Sequence, residues 1–252
     1  MSTNLLGFGT TPANSMMDDD DLYKELFGED DNDVGNRNVF SNVFEGLSSN
    51  PLSTTLTMGD IPGLSIHHDY ILAPLLEELE RTATPWFDVQ ATSNSQNQAM
   101  FFGDFPTSVR KLARICEPLV LARLQQTKPI FNQIIANFYV PGQGLAFHVD
   151  LMRQFEDGIV VASILGTCVF QFRQTCQCQP GGYGLCTCGR LDVDDQVKSV
   201  FLRAGDVVCL TGEARYNWEH GILEAVIDEW EGTCYPRTER LSITLRKLKA
   251  AE

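Results

Sequence analysis

From about residue 130 onward the chain is a succession of short β-branched and aromatic segments broken by glycine turns, and few architectures accept that pattern. Ile130–Val140, Leu145–Val149, Ile159–Leu165, Cys168–Arg173, Ser199–Arg203, Val207–Leu210 and Leu241–Leu245 all read as strands. Turns such as Pro141-Gly142-Gln143-Gly144 and Ala204-Gly205-Asp206 separate several of them. Ahead of the strands the periodicity is helical. Asp69 has the chemistry of a helix N-cap, and Tyr70 to Leu79 is amphipathic with Pro74 in the first turn. Residues 99–103 read as a strand, and 107–125 as a second helix bent near Pro118. Helices first and many antiparallel strands after them give an α+β order, a sandwich or barrel with helices on one side.

Charge divides the chain. Of a net −14, residues 1–60 hold 11 acidic and 2 basic side chains, leaving 22 and 17 for the rest. Residues 1–58, rich in Ser, Asn, Asp and Gly, are expected to be a disordered acidic N-terminal tail, with the folded domain over 59–252. Within the tail, Asp18 to Phe27 places Leu22, Tyr23, Leu26 and Phe27 on one face of a short helix led by aspartates. That segment is either a motif for a protein partner's groove or a solvated acidic stretch. The folded part is mildly acidic, so a nucleic-acid partner would have to meet a local basic face. No apolar run reaches the length of a membrane span, and the N-terminus lacks a signal-peptide pattern. An intracellular protein, nuclear or cytoplasmic, is the expectation.

Four histidines are present, His67, His68, His148 and His220. His148-Val149-Asp150 puts an imidazole and a carboxylate at i and i+2, on one face of a strand. His220, from a distant strand, would complete a two-histidine, one-carboxylate triad that leaves positions open on Fe(II). The spelling is weak by itself, because His67-His68-Asp69 repeats it just before a helical pattern, where a loop and a cap are expected instead. The C-terminal strand adds weight. In Arg240-Leu241-Ser242-Ile243-Thr244-Leu245-Arg246 the two arginines share a face. Inward arginines are costly unless they meet carboxylates, and a dicarboxylate co-substrate supplies them.

Together, Asn137-Phe138-Tyr139, Pro141-Gly142, His148-Val149-Asp150, Ser163 with Leu165-Gly166, Gly205-Asp206, Gly212-Glu213-Ala214-Arg215-Tyr216, His220-Gly221-Ile222 and the paired arginines resemble, in order and spacing, the AlkB family of Fe(II)/2-oxoglutarate dioxygenases. The resemblance covers about residues 62–248. It implies a double-stranded β-helix, or jelly-roll, core with flanking helices and iron at its open end. It implies that His148, Asp150 and His220 bind iron, and that Arg240, assisted by Tyr139, holds the distal carboxylate of 2-oxoglutarate. Arg246 and Asn137 are then expected near the iron-chelating end. Family members oxidise methyl or methylene carbons, and N-methyl substrates release formaldehyde.

Two departures bear on the substrate. Ser242 stands where DNA-repair members usually carry Asn, and with Gly212–Ile222 and Phe155–Ile159 it looks more like the branch that hydroxylates modified wobble uridines in tRNA. That branch is usually fused to an RNA-binding domain and a methyltransferase, for which this chain has no room. Gln98 to Asp104 resembles the lid over the substrate base but lacks the arginines often found before it. Phe101 or Phe102 either stacks a flipped base or belongs to a core strand. Oxidative demethylation or hydroxylation of nucleic-acid bases is the expected activity. The same chemistry on a methylated protein side chain is the alternative, and a catalytically silent scaffold using the acidic tail a second.

A cysteine-rich hairpin is inserted at 174–190. Cys176, Cys178, Cys186 and Cys188 form two C-x-C pairs across a Pro-Gly-Gly turn, which either hold a structural zinc ion or remain thiols.

Overall fold

The computed structural model describes residues 49–87, 97–175 and 197–250, all within the unit Arg37–Ala250. Thirteen strands are found among them: β1 (Thr54–Thr57), β2 (Leu64–His68), β3 (Gln98–Phe102), β4 (Gln133–Tyr139), β5 (Leu145–His148), β6 (Ile159–Leu165), β7 (Cys168–Gln174), β8 (Lys198–Leu202), β9 (Val207–Leu210), β10 (Trp218–Ile222), β11 (Ile227–Trp230), β12 (Thr233–Pro236) and β13 (Arg240–Arg246). The larger sheet runs β1-β2-β9-β6-β13-β4-β3 and the smaller β5-β10-β7-β8, with β11-β12 a separate hairpin. From β4 to β10 the chain alternates between the sheets except at the paired neighbours β7 and β8, so that β4, β6, β9 and β13 are central to one sheet and β5, β7, β8 and β10 make the other. All pairings are antiparallel. This is the eight-stranded double-sheet jelly roll, as expected.

The central strands β6, β9 and β13 of the larger sheet are buried on both faces, and their side chains sort by alternation. Leu241, Ile243 and Leu245 of β13 join Val160, Ala162 and Ile164 of β6 beneath the helices. Helix α1 (Ala73–Ala83) buries Leu75, Leu79 and Ala83 there, and α2 (Thr107–Cys116) buries Val109, Leu112, Ile115 and Cys116. Fully burying one such leucine contributes about 1.5–3 kcal/mol. The other face looks into the space between the sheets, lined by Ile159, Val161, Phe170, Phe172, Leu210 and Ile222. Into this apolar interior β13 also sends Arg240, Ser242, Thr244 and Arg246, every one of them buried. Burial of four polar side chains in a row costs free energy unless each has a partner, so this row marks the place where the fold serves something other than stability.

Several expectations change. Asp69 does not cap a helix: its φ of 52° is left-handed, and α1 starts only at Ala73, after Leu72 as N-cap, with proline at the helix start. His67 and His68 close strand β2 rather than lying in a loop. The tail expected to run to 58 overlaps a strand, because Thr54–Thr57 pairs with β2. The second helix is α2 followed by a 3-10 turn, Glu117–Leu119, at Pro118, and a short helix, Ala122–Gln125. The acidic segment 18–27 lies outside the described residues, as do Cys176, Cys178, Cys186 and Cys188. Among the described residues, no helix is long and apolar enough to cross a membrane.

Candidate active site

β5 and β10 are neighbours in the smaller sheet, with His148 directly opposite His220. Asp150 follows β5 by two residues. Ligand atoms of His148, Asp150 and His220 lie within 4.8 Å of one another, the one such cluster among the described residues. Their rings and carboxylate are held from outside. The Nδ1 of His148 is 2.9 Å from the Ala146 carbonyl. A carbonyl only accepts, so Nδ1 carries the proton and Nε2 presents its lone pair. The His220 ring stacks on Phe170, centroids 5.6 Å apart. Burial, helped by His148, pushes His220 down to about 4, so it is a neutral imidazole at neutral pH, the form that binds a metal. Its 3.6 Å approach to Asp150 is therefore not an ion pair at that pH.

Asp150 is paired elsewhere. Arg246 donates from Nη1 to its Oδ1 at 2.6 Å. Burial drives the Asp150 carboxyl up, but His220, Arg246, His148 and Arg215 outweigh it and hold it below its ordinary value. Arg246 is fixed in turn, donating from Nε to Gln133 Oε1 at 2.6 Å and lying 4.1 Å over the Phe155 ring. Arg215, 2% exposed, donates to the Asp150 carbonyl at 2.9 Å and to the Leu151 carbonyl at 3.3 Å. One carboxylate oxygen is thus bound to a cation, while Oδ2 lies 3.6 Å from His220 Nε2. An iron ion fits this donor set: two neutral nitrogens, one carboxylate oxygen, and supporting groups that fix each of them.

The second arginine differs. Arg240 donates from Nη1 to Ser242 Oγ at 3.2 Å, and no carboxylate among the described residues lies within ion-pair distance of it. Its Nη2 is buried without a partner, and so are the Tyr139 hydroxyl, Asn137 Oδ1 and Ser163 Oγ. Tyr139 is opposite Arg240 across β4–β13, with the guanidinium carbon 5.9 Å from its ring centroid. Ser242 is opposite Asn137 on one side and Ser163 on the other. Asn137, Tyr139, His148, Asp150, His220, Arg240 and Arg246 line one pocket. Besides the metal ligands it is lined by Arg240 and Tyr139, whose Nη2 and hydroxyl are donors without a partner, and a dicarboxylate would answer these two.

Sequence reasoning brought these seven residues forward, but it paired both arginines with the co-substrate. In the structure Arg246 already has Asp150. Gln133, which anchors Arg246, was not anticipated, and neither was the anchoring role of Arg215. Both act across large separations in sequence, and only the surprise of a polar residue opening the apolar strand β4 hinted at Gln133.

The two phenylalanines separate by alternation. Phe101 packs on Trp86, ring centroids 4.4 Å apart, against the core beneath the helices, so the expectation of a base-stacking role is corrected for it. Gln98, Met100 and Phe102 point the other way along this edge strand. Gln98 lines the pocket, while Met100 and Phe102 are 57% and 39% exposed.

Comparison with known proteins follows the same lines. The profile of the 2OG-Fe(II) oxygenase superfamily matches residues 79–246. An Arabidopsis thaliana protein described as an alkylated DNA repair protein ALKBH8 homolog is 31% identical over 128 residues, 47% of this chain and 34% of its own length. An uncharacterized protein, L905, of Acanthamoeba polyphaga mimivirus is 26% identical over 75% of this chain and 86% of its own. The Xenopus tropicalis tRNA (carboxymethyluridine(34)-5-O)-methyltransferase alkbh8 is 31% identical over 47% of this chain and only 18% of its own. The chain therefore spans about a third of the first of these relatives and less than a fifth of the last. Among solved structures, OsALKBH1 superposes with a TM-score of 0.49 at 15% identity, covering 77% of this chain and all of the other.

Proposed function

Because the chain belongs to the 2OG-Fe(II) oxygenase superfamily, as an AlkB-like dioxygenase with Fe(II) and 2-oxoglutarate as cofactors, we propose that it oxidises alkyl groups on nucleic-acid bases, by demethylation or hydroxylation. The observation that carries the choice of substrate is the ledge of Met100 and Phe102, exposed on the pocket side of edge strand β3 in line with Gln98. An apolar ledge beside a reactive pocket suits the face of an unstacked base. The printed descriptions of the Arabidopsis and Xenopus relatives, DNA repair and tRNA modification, support the same class. An intracellular site of action goes with that substrate.

When bound, Fe(II) and 2-oxoglutarate together activate dioxygen and oxidise a substrate carbon, with succinate and carbon dioxide as co-products. The protein's contributions are separable. His148, Asp150 and His220 hold the metal. Arg246 keeps Asp150 ionised and oriented, with Gln133 and Phe155 fixing Arg246 in turn. Arg240 and Tyr139 take the distal carboxylate, and Asn137 lies toward the metal. Phe170 shields one face of His220 from water, and Arg215 fixes the backbone that carries Asp150.

The test offers methylated single-stranded DNA, methylated tRNA fragments and methylated peptides to the iron-loaded protein, reading formaldehyde, succinate and product mass. Turnover of a nucleic acid, reduced in Phe102→Ala, is the expected outcome. Turnover confined to peptides would replace this substrate with a protein side chain, and absence of succinate with every substrate would remove the enzymatic reading.

A further inference from the structure

Directly after Arg246, where β13 ends, the chain reads Lys247-Leu248-Lys249. Backbone pairing lays this run against the turn that follows Asp150. Phe155 bridges to Leu248, the Lys249 N–H donates to the Gln154 carbonyl and the Glu156 N–H to that of Lys247, both at 2.8 Å. The Lys249 ammonium donates to the Met152 carbonyl at 2.9 Å, at the peptide that joins Met152 to the exposed Arg153. On the other side Asn132 ties the run to the apolar ledge. Its N–H donates to the Arg246 carbonyl at 3.1 Å, and its Oδ1 accepts from the Leu248 N–H at 2.7 Å. Its carbonyl accepts at 2.9 Å from the N–H of Gly103, next to Phe102. The run therefore connects the turn after a metal ligand with the end of the Met100–Phe102 ledge, along one rim of the pocket.

The charges on this rim are not neutralised. Lys111, Arg114, Arg173 and Lys198 each lie within 2.9 Å of a carboxylate, whereas Arg153, Lys247 and Lys249 have no carboxylate of the described residues in ion-pair reach. Lys247 donates instead to three neutral oxygens, Thr127 Oγ1 and the Thr127 and Pro129 carbonyls, between 2.7 and 3.2 Å. Burial lowers its ammonium from the ordinary value, and the charge of Lys128 lowers it further against the pull of Glu156. A chain of net −14 holds polyanions off except where cations gather. Cations gathered beside a pocket for an extruded base fit the phosphates that flank that base, because backbone contacts set the register while the pocket reads the base. We infer that Arg153, Lys247 and Lys249 form a track for the phosphodiester backbone of a single-stranded nucleic acid, setting which nucleotide reaches the metal. This rests on the reading that the substrate is a nucleic-acid base.

The test is fluorescence anisotropy of short labelled single strands, DNA and RNA, each with one N-methylated base, titrated with the full chain loaded with Mn(II) in place of Fe(II). Three phosphate contacts give a slope of log affinity against log salt of about −2, a loss of about twentyfold between about 50 and 200 mM salt. Arg153→Gln combined with Lys249→Gln should bring the slope to about −0.7 and raise the oligonucleotide KM of the iron-loaded enzyme. Lys247 is left in place because its bonds to Thr127 and Pro129 hold the chain together. Lys198→Gln, on the edge strand β8 of the smaller sheet, should leave the slope as in wild type. Either polymer satisfies the inference. A slope unchanged in the double variant, or reduced equally by Lys198→Gln, overturns the track, and continued turnover of the oligonucleotide then leaves the base-oxidising reading standing. A wild-type protein that neither binds nor oxidises either polymer overturns both.

Discussion

The chain spells His-x-Asp twice, both times at the end of a strand, and only one copy makes a site. In His148-Val149-Asp150 the histidine faces His220 across β5–β10, and the carboxylate, 8% exposed, meets both rings and Arg246. In His67-His68-Asp69 the left-handed backbone at Asp69 ends the strand alternation that would bring the two side chains to one face. His67 is instead 3.0 Å from both Thr55 Oγ1 and Ser65 Oγ. His68 and the Asp69 N–H both turn to Asp206, at 3.1 and 2.9 Å. The difference lies outside the three letters: one copy has a third ligand and a cation to keep its carboxylate charged, and the other has a carboxylate that ties down backbone.

Breaking the first copy should have the largest effect. Asp150→Ala removes a metal ligand and leaves Arg246 buried without its counter-charge. Iron content after purification should fall to background, and succinate formation by roughly a hundredfold or more. Stability should drop by about 3–5 kcal/mol, as when one partner of a buried ion pair is removed. Retention of stoichiometric iron in this variant would show that the cluster is not the metal site. Next comes the arginine that has no protein carboxylate. Arg240→Met should weaken 2-oxoglutarate about a hundredfold, two charge-assisted hydrogen bonds' worth, with iron retained. Equal loss of iron would mean that Arg240 supports the metal rather than the co-substrate.

How much of this was legible depended on range. The almost continuous apolar run Ile159–Leu165 and the polar-apolar alternation of Arg240–Arg246 exposed jelly-roll strands and the row of inward polar residues, because both patterns are local properties. The ligands were legible because their spacing is local too, apart from His220. What failed was of two kinds. Asp69 looked like an N-cap, but Pro74 and the capture of its N–H by Asp206, far away in sequence, moved the helix start to Ala73. Thr54–Thr57 looked like tail because its residues are polar and exposed; it is a strand only because β2 offers an edge. Gln133 and Arg215 left no signal in sequence for what they hold, since their partners, Arg246 and Asp150, lie in distant strands and turns.

Asp206 sharpens the comparison from the structural side. Its carboxylate, 2% exposed, accepts from His68 and from the N–H groups of Asp69 and Arg203. Asp206→Asn puts an amide where Oδ2 accepts two of these bonds, or strands the third donor if flipped. A loss of about 2 kcal/mol in chemical unfolding is expected, with iron content unchanged. Loss of iron at wild-type stability would mean that the second copy reaches the metal site after all.

The smallest difference is read by pH. Both His67 and His220 are held below their ordinary value chiefly by burial, His220 down to about 4 and His67 in the same direction. A histidine depressed in the folded state takes up its proton more readily when unfolded. Its contribution to stability is complete above the ordinary histidine range and is lost as pH falls toward the folded value. The metal-free protein should therefore lose stability progressively from about pH 6.5 to about pH 4. Asp150, held low, adds a further loss only below the ordinary carboxylate range. His220→Gln should flatten most of the slope between pH 6.5 and 4, whereas His67→Gln, at a half-buried position, should flatten it only slightly. If the two substitutions flattened the curve equally, burial would not distinguish the two copies, and the third ligand and Arg246 would be the only things that do.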